Sequence, residues 1–334
     1  MNHFKIQMFE DIKNIFDLTK INGNDIVIVS CLHLLESAVF FFYLLLSLNI
    51  KKENFFLLGK PYSTDLKVYN YLLDKKFFVS PFSIDFKYDM TFDKQFDNNV
   101  KSYLNTINNK IDKKKKIIII DDGSFLIKNA KKIIDNEILF AVEQTAAGAN
   151  YLKETKPDMP VFNVAQTNAK LTLEYNFITK QVFDFLKQDF SCLFTNNKNC
   201  LIIGNGFMGK NMRKTLDNVM NIDVYDINQN ISCIKNKNFN LKKYDLIIGT
   251  TGKNSFKYSE IKKLKDGCIL ASISSSDREF DAINFRRNSK YKLYNLHDNI
   301  VLENGVVLLN GGFPLNFTGS SCIHIKGMQL TYSL

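Results

Sequence analysis

The sequence predicts an α/β protein built as two doubly wound parallel-sheet domains. Three observations predict it. Short apolar runs of strand type alternate with helical stretches along most of the 334 residues, the order of a parallel sheet covered on both faces. One such run, residues 201–203, leads straight into Gly204-Asn205-Gly206-Phe207-Met208-Gly209 and a helical stretch. A further run, residues 222–225, ends on Asp226.

Taken in order, residues 1–24 carry apolar positions at helical spacing: Phe4, Met8, Ile12, Ile15 and Phe16. Residues 25–30 read as a buried strand, 34–48 as a helix, 54–58 as a strand and 64–75 as a helix. Helices are expected over 97–110 and 124–135, and strands over 116–120, 139–143 and 161–164. Pro157 and Pro160 break the chain before the last of these. A helix over 178–186 opens a second set, with strands at 201–203, 222–225, 246–249, 268–272 and 306–309. The expected domains are a substrate-binding domain, 1–178, and a Rossmann NAD-binding domain, 179–318. The segment 319–334 is too short for a domain and is expected to return to the first.

Each residue type in the stretch 204–226 has a job. Gly204 allows a tight turn off the strand, and Gly206 leaves a pyrophosphate free to approach the amides at a helix N-terminus. Gly209 lets the helix sit close on the strand. Asp226 falls where a carboxylate accepts bonds from the adenosine ribose and repels a 2′-phosphate, which favours NAD over NADP.

Composition narrows the class. Hydrophobic residues make up 45% and charged residues 23%, a globular balance. The formal charge of +10 comes from scattered lysines, so no nucleic acid is expected as partner. The apolar stretch 38–48 is too short to span a bilayer, so no membrane is expected either. The six cysteines form no Cys-x-x-Cys pair and the four histidines are far apart, which gives no metal pattern and points to a reducing cytoplasm.

Several loops sit where open α/β sheets place their ligands, at the carboxyl ends of predicted strands. They are Cys31-Leu32-His33, Asp121-Asp122-Gly123, Glu143-Gln144-Thr145 and residues 163–170. Together with Glu36, Ala38, Val39, residues 143–148, Asn163-Val164, Lys170, residues 204–210, Gly249-Thr250-Thr251-Gly252, residues 277–281 and Asn316 after Gly312, they form an ordered series. That series resembles the S-adenosylhomocysteine hydrolase family. The resemblance runs through most of the chain.

The resemblance implies a resident NAD that oxidises the 3′-hydroxyl of a nucleoside-type substrate. Elimination and water addition at the 5′ position follow, and then return of the hydride. Carried over by position, Lys170 takes the proton from the hydroxyl, Asp122 sits by the 4′ carbon, and His33 assists the leaving group and the water. Gln144 bonds a ribose hydroxyl, and Glu174 stands as a longer carboxylate for the family's Asp. Thr145, Gly204, Gly206, Phe207, Met208, Gly209, Asp226, Thr250, Thr251, Gly252 and Asn316 are the positions expected to hold the cofactor. Leu32, Glu36 and His324 are those expected to meet the substrate.

The chain also departs from the family. Gln144, Ala146 and Ala147 replace a glutamate and two threonines, Ser275 replaces a histidine, and a long C-terminal segment that reaches a neighbouring subunit has no counterpart. The expected assembly is a homodimer. Two alternatives remain open on sequence: a net NAD-dependent oxidoreductase on a nucleoside or sugar, and a non-catalytic NAD-binding regulatory protein.

Overall fold

The computed structural model describes residues 11–12, 23–195, 197–234, 240–274 and 276–318. Ser275, His324, the segment 319–334 and most of the N-terminal helical pattern, including Phe4, Met8, Ile15 and Phe16, lie outside the described residues. The described chain forms two compact units. One holds residues 23–85 and Phe96–Glu174; the other holds Phe86–Gln95 and residues 175–318.

The first unit is a parallel sheet. Its strands are β1 (Ile26–Leu32), β2 (Phe55–Gly59), β3 (Phe78–Val79), β4 (Lys116–Asp121), β5 (Ile138–Glu143) and β6 (Val161–Asn163). They lie in the order β3-β2-β1-β4-β5-β6, and every pair is parallel. This is the doubly wound order, in which the winding reverses between β1 and β4. The connecting helices are α1 (Glu36–Leu46), α2 (Leu66–Asp74), α3 (Phe92–Asn108, in this unit from Phe96 onward), α4 (Phe125–Ile133) and α5 (Ala146–Thr155). The strands are near-continuous runs of Ile, Val, Leu and Phe because helices cover both faces. In β1, Val27, Ile28 and Val29 are all buried. Helix starts follow local chemistry: the Asp65 carboxylate accepts the Lys67 and Val68 amides at the head of α2, and the Thr145 hydroxyl accepts the Gly148 amide at the head of α5.

The second unit opens with α6 (Tyr175–Asp189). It continues through β7 (Asn199–Ile203), α7 (Phe207–Leu216), β8 (Asn221–Tyr225), β9 (Leu246–Gly249), β10 (Ile269–Ser272), α8 (Ala282–Arg287), β11 (Ile300–Val301) and β12 (Val307–Leu308). The sheet order is β11-β12-β10-β9-β7-β8. Only the β11–β12 pair among these is antiparallel. Alternation along the strands divides the core. Cys200, Ile202, Leu246 and Ile248 face a cluster with Val182 and Leu186 of α6 and Met212 and Leu216 of α7. Leu201, Ile203, Ile247 and Leu270 face a cluster with Tyr244, Phe256, Phe280 and Phe285. One apolar strand thus feeds two cores.

The helix α5 and the short strands β3 and β11 were not expected from sequence. The strands are two residues each, below the length at which an apolar run is distinctive. Removing the Ile202 side chain, fully buried in β7, is expected to cost about 2–5 kcal/mol. Urea denaturation of Ile202→Ala checks this.

Candidate functional site

In the first unit the strand-end loops on either side of the reversal carry a connected polar cluster. His33 follows β1, Lys60 and Ser63 follow β2, Asp122 follows β4 and Glu143 ends β5. Lys60, almost fully buried, places its ammonium on Asp122 Oδ1. His33 Nε2 lies 3.2 Å from Asp122 Oδ2. The other ring nitrogen of His33 hydrogen-bonds the Ser63 hydroxyl. The edge of the Tyr62 ring packs against the imidazole at 6.0 Å.

The charges in this cluster are set by one another. Burial pushes the Asp122 carboxyl up, but Lys60 and His33 more than reverse this and hold it well below the usual carboxylate range. Burial pushes the Lys60 ammonium down, and Asp122 outweighs it, so Lys60 stays protonated. His33 is lowered, first by burial and further by the fields of Lys60 and Lys170, against the pull of Asp122.

Glu143 holds the cluster's frame. Fully buried, its carboxylate accepts the amides of Gly123 at 3.0 Å, Ser124 at 2.7 Å and Thr145 at 2.7 Å. It also accepts the hydroxyls of Ser124 at 2.8 Å and Thr145 at 2.7 Å. Its register partner across the strands is Asp121. Asp121 accepts the Asp122 and Ile127 amides, both at 2.9 Å. Burial, then the charge of Glu143, pushes Asp121 up to about 8.

Lys170 and Glu174 bound a π-helical turn, Lys170–Glu174, and both are buried. The wide turn places them on one face. Lys170 donates to the Gln144 carbonyl and lies 3.4 Å from Glu174 Oε2. Of the sequence-derived positions in this unit, His33, Asp122, Lys170, Glu174 and the Gln144 main chain are thus placed in polar contacts at the strand-end loops. Leu32 is instead a core residue of β1, and Glu36 is exposed in the first turn of α1. The Thr145 hydroxyl, expected on a cofactor, is taken by Glu143 and by the cap of α5. Lys60 and Ser63 were missed. The signal for Lys60 was available, since a lysine directly after an apolar strand is placed at its carboxyl end.

The second unit builds its turn around Gly204. With φ of +104°, Gly204 takes a conformation that side chains resist. The Thr250 hydroxyl braces the turn, donating to the carbonyls of Ile203 at 3.0 Å and Gly204 at 3.1 Å. A Cβ on Gly209 would lie 2.0 Å from the Gly204 carbonyl oxygen, so α7 is docked as tightly as glycine permits. A Cβ on Gly206 would meet nothing within 4 Å. The position caps α7, which leaves open space at the helix N-terminus. Asp226, at the end of β8, accepts the Asn205 amide at 2.7 Å and the Asn228 amide at 2.8 Å. Phe207 is exposed and lies parallel to Tyr175 at 6.3 Å, while Met208 packs on the core. The open helix terminus, the close approach and the fixed acid fit the pyrophosphate and ribose of a dinucleotide.

Two expected cofactor positions are engaged elsewhere. Glu279, fully buried, accepts the Thr251 amide at 3.0 Å, the Thr251 hydroxyl at 2.7 Å and the Gly252 amide at 2.8 Å. It also accepts the hydroxyls of Ser255 and Ser274, both at 2.5 Å. The donors of Thr251 and Gly252 therefore shape the loop. Asn316 is buried just past Pro314, which bridges to Ser272 of β10. Among the described residues no His, Cys, Asp and Glu group could hold a metal ion, and no helix is long and apolar enough to cross a membrane.

No family model matches the chain. Two uncharacterized proteins of Mycobacterium tuberculosis, from strains CDC 1551 / Oshkosh and H37Rv, are each 28% identical to it over 320 residues. The match covers 94% of this chain and 63% of each relative, so the chain spans less than two thirds of their length. Among solved structures, NAD+-bound 3-phosphoglycerate dehydrogenase of Entamoeba histolytica is 15% identical with a TM-score of 0.40, covering 78% of this chain and 76% of that one. An acyclic imino acid reductase in complex with NADPH and D-Arg is 14% identical with a TM-score of 0.41, covering 82% and 92%.

The raised Asp121 carboxyl has a defined pH signature. The unfolded group releases its proton near pH 4, while the folded one keeps it to about 8. Its contribution to stability is therefore greatest at low pH and is lost as pH rises through that window. The stability of Asp121→Asn, followed by urea denaturation at stepped pH, is expected to fall less steeply than that of the wild type between these values.

Proposed function

We propose that the chain is a nicotinamide-dependent enzyme acting on an alcohol of a nucleoside-type substrate. The second unit binds NAD and the first handles protons. The observation that carries the reading is the glycine turn: open space at Gly206, tight docking at Gly209, and Asp226 fixed against the Asn205 amide. An acid at that place favours the ribose diol of NAD over a 2′-phosphate. A bound nicotinamide supplies the hydride acceptor.

The proton side rests on Lys170 and Glu174. As an ammonium, Lys170 can donate to a substrate oxygen but cannot take its proton. Glu174, 3.4 Å away, is the carboxylate that takes the hydroxyl proton in this reading, with Lys170 as the donor beside it. The buried setting of both keeps water from competing for these bonds.

The finer form of this reading is the reaction that the family resemblance implies: transient 3′-oxidation, elimination and addition at the 5′ position, and re-reduction. A second form, net oxidation with release of reduced cofactor, is favoured by one observation. Both ring nitrogens of His33 are already engaged, by Asp122 and by Ser63, which leaves the expected helper of the leaving group without a spare bond.

The test is direct. Purified protein is loaded with NAD and mixed with adenosine or S-adenosylhomocysteine, while reduced nicotinamide and free thiol are followed. Thiol release without net NADH supports the hydrolase-type form. Accumulating NADH supports the oxidoreductase form. Bound NAD that neither compound reduces counts against the proposed substrate class. Lys170→Ala is expected to abolish reduction and leave NAD bound. Gly206→Val is expected to keep the fold and weaken NAD binding by at least about 10-fold, about 1.4 kcal/mol, in a calorimetric titration.

A further inference from the structure

We propose that Lys60 is a positioning residue that sets the protonation state of His33 by competing with it for Asp122. Two cationic-capable groups share one carboxylate: the Lys60 ammonium takes Oδ1 and the His33 imidazole takes Oδ2. Releasing Lys60 from the carboxylate is costly. Lys60 is 2% exposed, lies over the Phe125 ring at 5.9 Å, and would be left as a buried unpaired charge. His33 is the partner that can give up its charge. With Asp122 accepting from Nε2–H, a neutral ring has its lone pair on Nδ1, and the Ser63 hydroxyl must then donate to it in place of the Lys60 carbonyl, which lies 3.4 Å from that hydroxyl.

Groups of both signs stand around the ring and its partners. Lys170 adds a second positive field at His33, Tyr62 offers a ring edge, and Ser63 a hydroxyl. Asp121, Glu143 and Cys31 surround Lys60 and Asp122. Burial also lowers His33. A neutral His33 can accept a proton but cannot deliver one to a leaving group. This deepens the proposed function and rests on it only for that consequence; the ionisation itself can be measured without substrate or cofactor.

The test is an NMR titration of ring carbons in ¹³C-histidine protein. With four histidines in the chain, His33 is assigned from His33→Asn. In the wild type His33 is expected to titrate below the ordinary midpoint of about 6.5. In Lys60→Met the midpoint is expected to rise by about one to two units. In Lys60→Arg, which restores the charge, it is expected to return toward the wild-type value. An unchanged midpoint in folded Lys60→Met overturns the proposal. If that variant does not fold, the wild-type curve decides, and a His33 midpoint above about 6.5 overturns it. Loss of nucleoside oxidation with the titration as expected would fault the proposed reaction and leave the role of Lys60 standing.

Discussion

Each unit depends on one buried glutamate at the carboxyl edge of its sheet. Glu143 in the first and Glu279 in the second are both fully buried. Each accepts hydrogen bonds from two amide-bearing loop positions or more and from nearby hydroxyls. A carboxylate taken out of water is costly unless it is saturated with donors. Saturation here is supplied by the loops themselves, so the loops cannot drift without exposing the charge. A glycine stands against each glutamate. A Cβ on Gly148 would fall 2.0 Å from the Glu143 carboxyl carbon, and one on Gly249 would fall 2.2 Å from the Glu279 side chain. Any larger residue would have to displace the anchor.

That constraint reaches the chemistry in both units. Glu143 fixes the turn after β4, and this turn carries Asp122 into its contacts with Lys60 and His33. Glu279 fixes the loop after β9, and this loop carries Thr250 into the bonds that brace the Gly204 turn. The groups proposed to act on ligands are thus held by carboxylates bonded to the loops that carry them. Losing either glutamate would damage the site through its frame, because the donors of Thr251, Gly252 and Thr145 are bonded to it.

The architecture was legible where chain patterns are long or chemically specific. Long apolar strands such as β1 and β4 announce themselves, and the Gly204–Asp226 spacing carries its own geometry. Residues on strand-end loops could be located because a parallel sheet gathers them at one edge. What was not legible depends on side-chain pairing at a distance. Nothing near Lys60 in sequence shows that Asp122, sixty-two positions later, would receive it. Nothing in residues 143–145 or 279 distinguishes a carboxylate that binds ligand from one that binds its own loops. The membership of Phe86–Gln95 in the second unit is equally silent, since it rests on partners such as Asp277, whose carboxylate accepts the Phe92 amide at 3.2 Å.

The distribution of charge in the first unit narrows what its site can do. Lys60 and Lys170 bring two cations to the neighbourhood of His33, each with a carboxylate within reach, Asp122 and Glu174. The pairings differ in consequence. Lys60 and Asp122 are both buried and joined to a third group, so neither can change charge without leaving the other uncompensated. Lys170 and Glu174 stand one wide helical turn apart with their charged ends at 3.4 Å. In the proposed function the substrate bonds fall to the Lys170–Glu174 pair, while the Lys60–Asp122 pair supplies a fixed field. The unit thus holds two ion pairs of different kind, one locked into a three-membered cluster and one set on a helical turn. The Lys60–Asp122 pair keeps its charge whether or not His33 carries a proton, so the imidazole is the group of the three whose charge can vary.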